Sequence, residues 1–277
     1  MNLTPFACSV HTHSTFCDGK NSMAEMAAAA CEAGVRYYGF SGHGHTPCPA
    51  DIGICMEADP AEYRTEAERL RKEYEGRMEI LLGIEQDLCA DIPVPDWAEY
   101  WIGSVHDLQD PKTGQYYAVD WKMEELEACR DEMCGGDGLA LAEAYYAAVI
   151  EMAKKHPPIL GHIDLITKLN GDGSLFDEES PRYKAAALAA LHAVDPQTTV
   201  LEINTGAIAR GYRTAPYPAP FLLNEWRAMG GRVILTADAH HVGGIQFAYA
   251  DAAAHARAAG YETAVILTRK GWTDVPL

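Results

Sequence analysis

Ile80-Leu81-Leu82-Gly83-Ile84-Glu85, residues 80–85, is a short apolar run that ends on a carboxylate. It is apolar at consecutive rather than alternate positions. That pattern fits a strand covered on both faces, the habit of parallel strands packed between helices. Glu85 is the informative residue, because a carboxylate ending such a run is costly unless it is paired or bound to a cation. The arrangement recurs along the chain. Further strands are predicted over Ala7–Val10, Tyr37–Ser41, Trp101–Val105, Ile159–Gly161, Val200–Asn204 and Val233–Ala237. After all but the sixth stand metal-binding side chains: His11 and His13, His43, Glu85, His106, His162, and Asp238 with His240. If the strands are parallel and close into a barrel, these side chains converge on the rim where barrel enzymes keep their chemistry.

Helical stretches separate the strands: Ser22–Ala33, Pro60–Tyr74, Lys122–Met133, Leu139–Lys155, Pro181–Ala193, Ala219–Met229 and about Gly244–Ala259, before a last apolar run at Ala264–Leu267. Ser22 and Glu25 form a capping-box start, and Gly34 a stop. Regular alternation of strand and helix predicts an α/β fold with a parallel sheet. The strands number seven, one short of the ordinary eightfold barrel. No linker or repeat divides residues 1–277, so a single domain is expected. The long stretch from Leu108 to Pro158 reads as two helices around Cys134–Gly138, a candidate substrate cover at the rim.

Composition narrows the function. With 22 Lys and Arg against 40 Asp and Glu the net charge is −18, and no basic run exists. Such a surface repels phosphate backbones, so nucleic acid is not an expected partner. No apolar run approaches the length of a membrane span, and the first ten residues do not read as a signal peptide. Eight cysteines stand at irregular spacing without a C-x-x-C pair, so reduced thiols and a cytoplasmic location are expected. Cys17, beside the first histidines, reads as a packing thiol.

His11 and His13, and likewise Asp238 and His240, are two apart, so each pair can turn to one side of an extended chain and share a cation. Asp18 follows the first pair after a turn closed by Gly19. The candidate metal ligands are thus His11, His13, Asp18, His43, Glu85, His106, His162, Asp238 and His240. Nine ligands exceed the capacity of one ion, and imidazole with carboxylate suits zinc, manganese or iron. Two or three divalent ions are therefore expected. Neighbouring ions clamp the attacking and leaving oxygens of a displacement at phosphorus, which points to phosphoester hydrolysis. Arg210, Arg213 and Lys168 are the candidate substrate-phosphate contacts, arginine through its bidentate fork. His45 and His241 adjoin ligands and are candidates to support them. His156, His192 and His255 read as packing or surface residues.

The pattern His11-x-His13, Asp18-Gly19, His43, Gly83-Ile84-Glu85, His106, His162 and Asp238-x-His240 resembles the PHP (polymerase and histidinol phosphatase) superfamily. Gly161–Ile166, Glu202–Gly206, the helix around Tyr145-Tyr146 and the Pro216–Pro220 stretch resemble its histidinol-phosphatase branch. The resemblance implies a distorted (β/α)7 TIM-like barrel and a trinuclear centre. The first ion would be held by His11, His13, Glu85 and Asp238. The second would take Glu85, His106 and His162, and the third Asp18, His43 and His240. It implies a phosphomonoesterase that hydrolyses L-histidinol phosphate to L-histidinol and phosphate, in histidine biosynthesis, through a metal-bridging hydroxide. Catalytic roles would fall to Glu85, Asp238 and His240. A nuclease or nucleotide phosphoesterase, and a non-catalytic metal-binding module, are the alternative readings. Many relatives carry an acidic residue immediately before the His43 position, whereas this chain has Gly42.

Overall fold

Short strands that are apolar on both faces need cover on both, and here they obtain it by curling into a barrel. The computed structural model describes residues 3–277. In chain order the elements are β1 (Cys8–Ser9), α1 (Met23–Glu32), β2 (Tyr37–Phe40), α2 (Ala61–Glu73), β3 (Glu79–Asp87), β4 (Tyr100–Ser104), β5 (Asp107–Gln109) and β6 (Tyr116–Ala118). They continue with α3 (Met123–Ala128), α4 (Gly138–Ala153), β7 (Ile159–Leu160), α5 (Pro181–His192), β8 (Val200–Asn204), α6 (Gly206–Ala209), α7 (Pro220–Ala228), β9 (Arg232–Thr236), α8 (Tyr249–Ala258), β10 (Thr263–Thr268) and β11 (Gly271–Pro276).

Seven strands form one parallel sheet in the order β1-β2-β3-β4-β7-β8-β9. All seven coincide with the strands expected from the sequence. Its two edges meet at the carboxyl rim: Thr12 bridges Ala239, the His13 amide donates to the Ala239 carbonyl at 2.9 Å, and the Ala239 amide to the His11 carbonyl at 3.2 Å. The fold is therefore an α/β, nearly closed seven-stranded barrel.

Alternation along each strand sorts the core into two layers. Val10, Leu81, Ile102, Ile159, Val200 and Ile234 pack inside the barrel. Their strand neighbours, such as Ile80, Leu82, Leu160, Leu201, Val233 and Leu235, pack outward with the helices. Parity then places Glu85, four residues beyond Leu81, and Asp238, four beyond Ile234, on the inner side. β1 is the exception. Cys8 and Val10 are inner residues, so an unbroken strand would point Thr12 inward. His11 and His13 take that side instead, and regular pairing stops at Ser9 and resumes as a single bridge at Thr12.

The structure departs from expectation in three places. Within the 108–158 stretch, Asp107–Gln109 and Tyr116–Ala118 pair as an antiparallel hairpin, too short for a period to be legible. The helix expected over 122–133 is α-helical only to Ala128 and finishes in a π turn, Cys129–Met133. The last helix begins at Tyr249, because Gln246 and Ala248 adopt left-handed backbone angles (φ +56° and +54°). Among the described residues no helix is long and apolar enough to cross a membrane.

The run at Ala264–Leu267 belongs to the β10–β11 hairpin, which pairs from Thr263–Pro276 to Thr268–Gly271. Its Val265, Ile266, Leu267 and Val275 pack with Cys8, Val10, Leu81 and Ile234, and so floor the barrel. Above them Tyr100 crosses the interior, its hydroxyl donating to the carbonyl of Val10 at 2.6 Å and, more weakly placed, to that of Phe40 at 3.0 Å. Gly83 makes room for it: a Cβ there would stand 2.5 Å from the Tyr100 ring. Gly83→Ala is accordingly expected to destabilise the protein by about 1–3 kcal/mol through overpacking. Thermal unfolding would check this; an unchanged Tm would show that the ring can yield.

Candidate metal centre

The candidate ligands arrive by the ends of six strands and one turn. β1 delivers His11 and His13, the segment after β2 delivers His43, and β3 delivers Glu85. His106 follows β4, His162 follows β7, and Asp238 and His240 follow β9. Asp18 reaches the group from the turn after His13. All nine gather at one rim. Their nitrogen–oxygen separations run from 3.1 Å (His11 Nε2 to Glu85 Oε2) to 3.7 Å (His13 Nδ1 to Asp18 Oδ1). Two donors each about 2.1 Å from a tetrahedral ion would stand roughly 3.4 Å apart. The spacing is that of ligands sharing cations.

Glu85 is the centre of the arrangement. Oε1 faces His162 Nε2 at 3.1 Å and His106 Nε2 at 3.3 Å. Oε2 faces His11 at 3.1 Å, His43 at 3.2 Å and His13 at 3.4 Å. One carboxylate thus addresses two groups of imidazoles, one with each oxygen. The donors fall into overlapping sets: His11, His13 and Asp238; His11, Glu85 and His162; His43, Glu85 and His106; and His13, Asp18, His43 and His240. Asp18 joins His240 at 3.1 Å and His43 at 3.6 Å.

Besides His162 Nδ1, three buried ligand atoms, His11 Nε2, His13 Nε2 and Glu85 Oε2, have no hydrogen-bond partner. Buried polar atoms rarely go unpaired, and these three point into the shared space of the sets above. The tautomer of His11 explains its orphan. Nδ1 lies 2.5 Å from Glu202 Oε1, and a carboxylate can only accept, so a proton sits on Nδ1 and, on the neutral ring, the Nε2 lone pair is left for a cation. The donor set therefore fits divalent metal.

The electrostatics follow from burial opposed by close charge. Burial would push Glu85 up, but His11, His106 and His43 hold it well below the usual carboxylate range. Asp238 is likewise opposed by burial and held down by Arg210, His11 and His240. Burial disfavours a charge on His11, yet Glu202, Glu85 and Asp238 raise it well above its ordinary value. His13, buried against His240 and His43, falls to about 3. Asp238 also adopts a left-handed backbone angle, φ +49°. Such a conformation costs a non-glycine residue about 1–3 kcal/mol and marks a constrained position.

A supporting layer holds these ligands. Glu202 Oε2 accepts from the His162 amide at 2.8 Å and from Asn204 Nδ2 at 2.9 Å. Ser104 Oγ donates to Glu85 Oε1 at 2.6 Å, and Asp87 Oδ2 accepts from the His106 amide at 2.6 Å. The sequence singled out neither Ser104 nor a structural role for Glu202. The signal for Glu202 was present: a carboxylate inside Val200–Asn204, the same anomaly as Glu85. Glu202→Gln is expected to weaken metal binding by about 10–100-fold, because its NH2 group must face a donor, either His11 Nδ1–H or the His162 amide. Competition against a chromophoric chelator measures this, and unchanged affinity would remove Glu202 from the role.

Seven of the nine ligands, all but His11 and His13, line the base of a cleft of about 540 Å³, walled by Lys168, Arg210, Trp121, Tyr212, Asp51 and Asp120. Arg210 is engaged at the centre, its Nη2 donating to Asp238 Oδ2 at 2.7 Å. Lys168 Nζ donates to Asp120 Oδ2 at 2.7 Å. Burial opposes the charge on Asp120, but Lys168 and His106 bring it to about 2. Arg213 departs from expectation: it turns away, donates to both Glu178 oxygens at 2.9 Å, and lines a different cavity with Asp164 and Tyr217. Of the other histidines, His45 meets Asp91 at 3.1 Å, His241 lines the cleft, His192 meets Glu225 and His255 the Pro218 carbonyl. Gly42 has no side chain to reach His43; a Cβ there would meet Met56 Sδ at 3.1 Å and Cys17 Sγ at 3.3 Å.

The PHP domain family model matches residues 9–206. A Deinococcus radiodurans protein named "Probable histidinol-phosphatase" is 30% identical over 95% of this chain and 97% of its own. The Bacillus subtilis "Histidinol-phosphatase" is 26% identical over 86% of this chain and 95% of its own. Among solved structures, histidinol phosphate phosphatase from Lactococcus lactis, complexed with zinc, L-histidinol and phosphate, superposes with a TM-score of 0.71. That match covers 96% of this chain and 98% of the other, at 18% identity.

Proposed function

The chain belongs to the PHP domain family, and from that premise we propose that it is a metal-dependent phosphomonoesterase hydrolysing L-histidinol phosphate to L-histidinol and phosphate. The observation that carries this is Glu85, a buried carboxylate whose two oxygens address separate imidazole groups, as a bridge between ions requires. The near-full-length likeness to the Deinococcus and Bacillus proteins supports the substrate. All eight cysteines are free, in keeping with a reducing cytoplasm.

His11, His13, Glu85 and Asp238 would hold one ion, Glu85, His106 and His162 a second, and Asp18, His43 and His240 a third. Zinc, manganese or iron would suit these donors. When bound, the ions supply an activated water and neutralise the charge of the phosphoryl group. Glu202 fixes the His11 tautomer and Arg210 holds Asp238 in place. Lys168 and Arg210, at the cleft wall, offer positive charge to the phosphate. Trp121 and Tyr212 offer flat walls to an imidazole ring, and Asp120 offers negative charge to the substrate's cationic groups.

Phosphate release across a panel of small phosphomonoesters tests the reading, with zinc, manganese or iron supplied. Histidinol phosphate is expected to have the highest kcat/KM. Preference for another ester, or for dinucleotides or single-stranded DNA, would overturn it. Lys168→Ala is expected to raise KM about tenfold or more, the worth of a hydrogen bond to a charged group. Steady-state kinetics would reveal it, and an unaltered KM would exclude Lys168 as a phosphate contact.

A further inference from the structure

A second group of metal-binding side chains lies behind the wall of the cleft, reaching it through Asp51 and apart from the nine rim ligands. Cys48 caps and Asp51 ends a single 3-10 turn, Pro49–Asp51, in the segment between β2 and α2. Residues three apart eclipse on such a turn, which brings a thiol and a carboxylate to one side. Asp107, at the start of β5, meets them there. Cys48 Sγ lies 3.0 Å from Asp107 Oδ1, and a ligand atom from each of the three residues falls within 4.8 Å of the others.

Asp107 is almost wholly enclosed, with 1% of its surface exposed, and its Oδ2 has no hydrogen-bond partner. Leaving a carboxylate oxygen buried and unpaired is expensive unless a cation completes it. Two further thiols lie beside the main chain of these residues. Cys89 Sγ lies 3.6 Å from the Asp107 carbonyl, and Cys55 Sγ lies 3.4 Å from that of Asp51. A thiol with two carboxylates is a donor set for a borderline-soft divalent ion, and it differs in kind from the all-nitrogen-and-oxygen rim.

We propose that Cys48, Asp51 and Asp107 form a separate site for one thiophilic divalent cation of the zinc class. Binding releases the Cys48 thiol proton to solvent and leaves a thiolate on the metal. Three protein donors leave one tetrahedral position open for water. The ion pins the 46–55 segment, which supplies Thr46, Ala50, Asp51, Ile54 and Cys55 to the cleft wall, onto the strand that follows His106. It thereby fixes the shape of the substrate entrance without touching the reacting atoms.

Cobalt(II) substitution of the full chain separates this site from the rim, because only a thiolate ligand gives the intense near-ultraviolet sulfur-to-cobalt absorption. Chelator-stripped protein titrated with cobalt is expected to develop that band to an amplitude of one thiolate-bound ion per chain. Cys48→Ala should abolish the band and remove one equivalent of bound metal. Cys17→Ala should preserve it, although Cys17 Sγ stands 3.5 Å from His13 Nδ1. Should Cys48→Ala fail to fold, Asp51→Asn provides the second arm, with the band's apparent cobalt affinity lowered about tenfold or more. No band in the unaltered protein, a band that survives Cys48→Ala, one lost in Cys17→Ala, or one indifferent to Asp51→Asn would each overturn the proposal. None of these readouts depends on hydrolysis, so the phosphatase reading stands or falls separately.

Discussion

Glu85→Gln is expected to lower kcat toward histidinol phosphate by at least about 10³-fold, and to lower the number of metal ions held per chain. Removing a single preorganised donor from a charge-stabilising site commonly costs about 10²–10³ in rate. Glu85 counts for more than one donor, since Oε1 serves His106 and His162 while Oε2 serves His11, His13 and His43. Glutamine keeps the shape but removes the charge, and it turns one of those faces into an N–H2 group that cannot ligate. The variant is expected to fold, because Ser104 Oγ can still donate to an amide oxygen. Elemental analysis and kinetics together decide the matter. A variant with full metal content and more than about a tenth of the parent kcat, 1.4 kcal/mol or less in barrier, would mean that Glu85 does not bridge.

Removing metal is expected to abolish turnover and to destabilise the protein in a pH-dependent way. A ligand at a hundredfold excess over Kd stabilises by about 2.7 kcal/mol per site, so chelation should lower Tm sharply near neutrality. The dependence on pH should invert between the two forms. In stripped protein, His11 and His106 are raised above their ordinary value despite burial, His11 mainly by Glu202 and Glu85 and His106 by Glu85 and Asp87. Their contribution is therefore complete below about pH 6.5 and fades as pH climbs through the raised values. Glu85 and Asp238 are depressed, so theirs is complete above about pH 4.3 and is lost as acid protonates them. Stripped protein should accordingly gain most from the centre between those limits. Loaded protein should gain most above about pH 6.5, because metal needs the imidazoles neutral. The Tm increment on adding metal should thus be small near pH 5 and large near pH 8. An increment equal at both would argue against histidine ligation.

The barrel was legible because its strands are short, doubly apolar and each followed by a polar residue that has no place in a core. Ile80–Glu85 alone shows the pattern. What sequence hid was parity and direction. Nothing in Val10-His11-Thr12-His13 reveals that the strand breaks after Ser9 so that the histidines, rather than Thr12, face the centre. Arg210 and Arg213 looked equivalent as phosphate contacts. Arg210 caps the end of α6 and reaches Asp238, whereas the chain then turns at Gly211 (φ +77°) and Arg213 meets Glu178. The β5–β6 hairpin escaped because its strands have three residues each. The sulfur-bearing cluster at Asp107 was hidden because its members lie 59 positions apart and meet only through the fold.

A barrel whose floor is woven from β10 and β11 cannot seal until that hairpin has been made. Val265, Ile266, Leu267 and Val275 leave the ribosome after every strand they must cover, so Val10, Leu81 and Ile234 wait with one end open to water. At about 5–20 residues per second that interval lasts on the order of seconds. For that time the nascent protein carries an oily, unplugged bore, a natural handhold for a chaperone, and its maturation is timed by the arrival of a hairpin far from the chemistry.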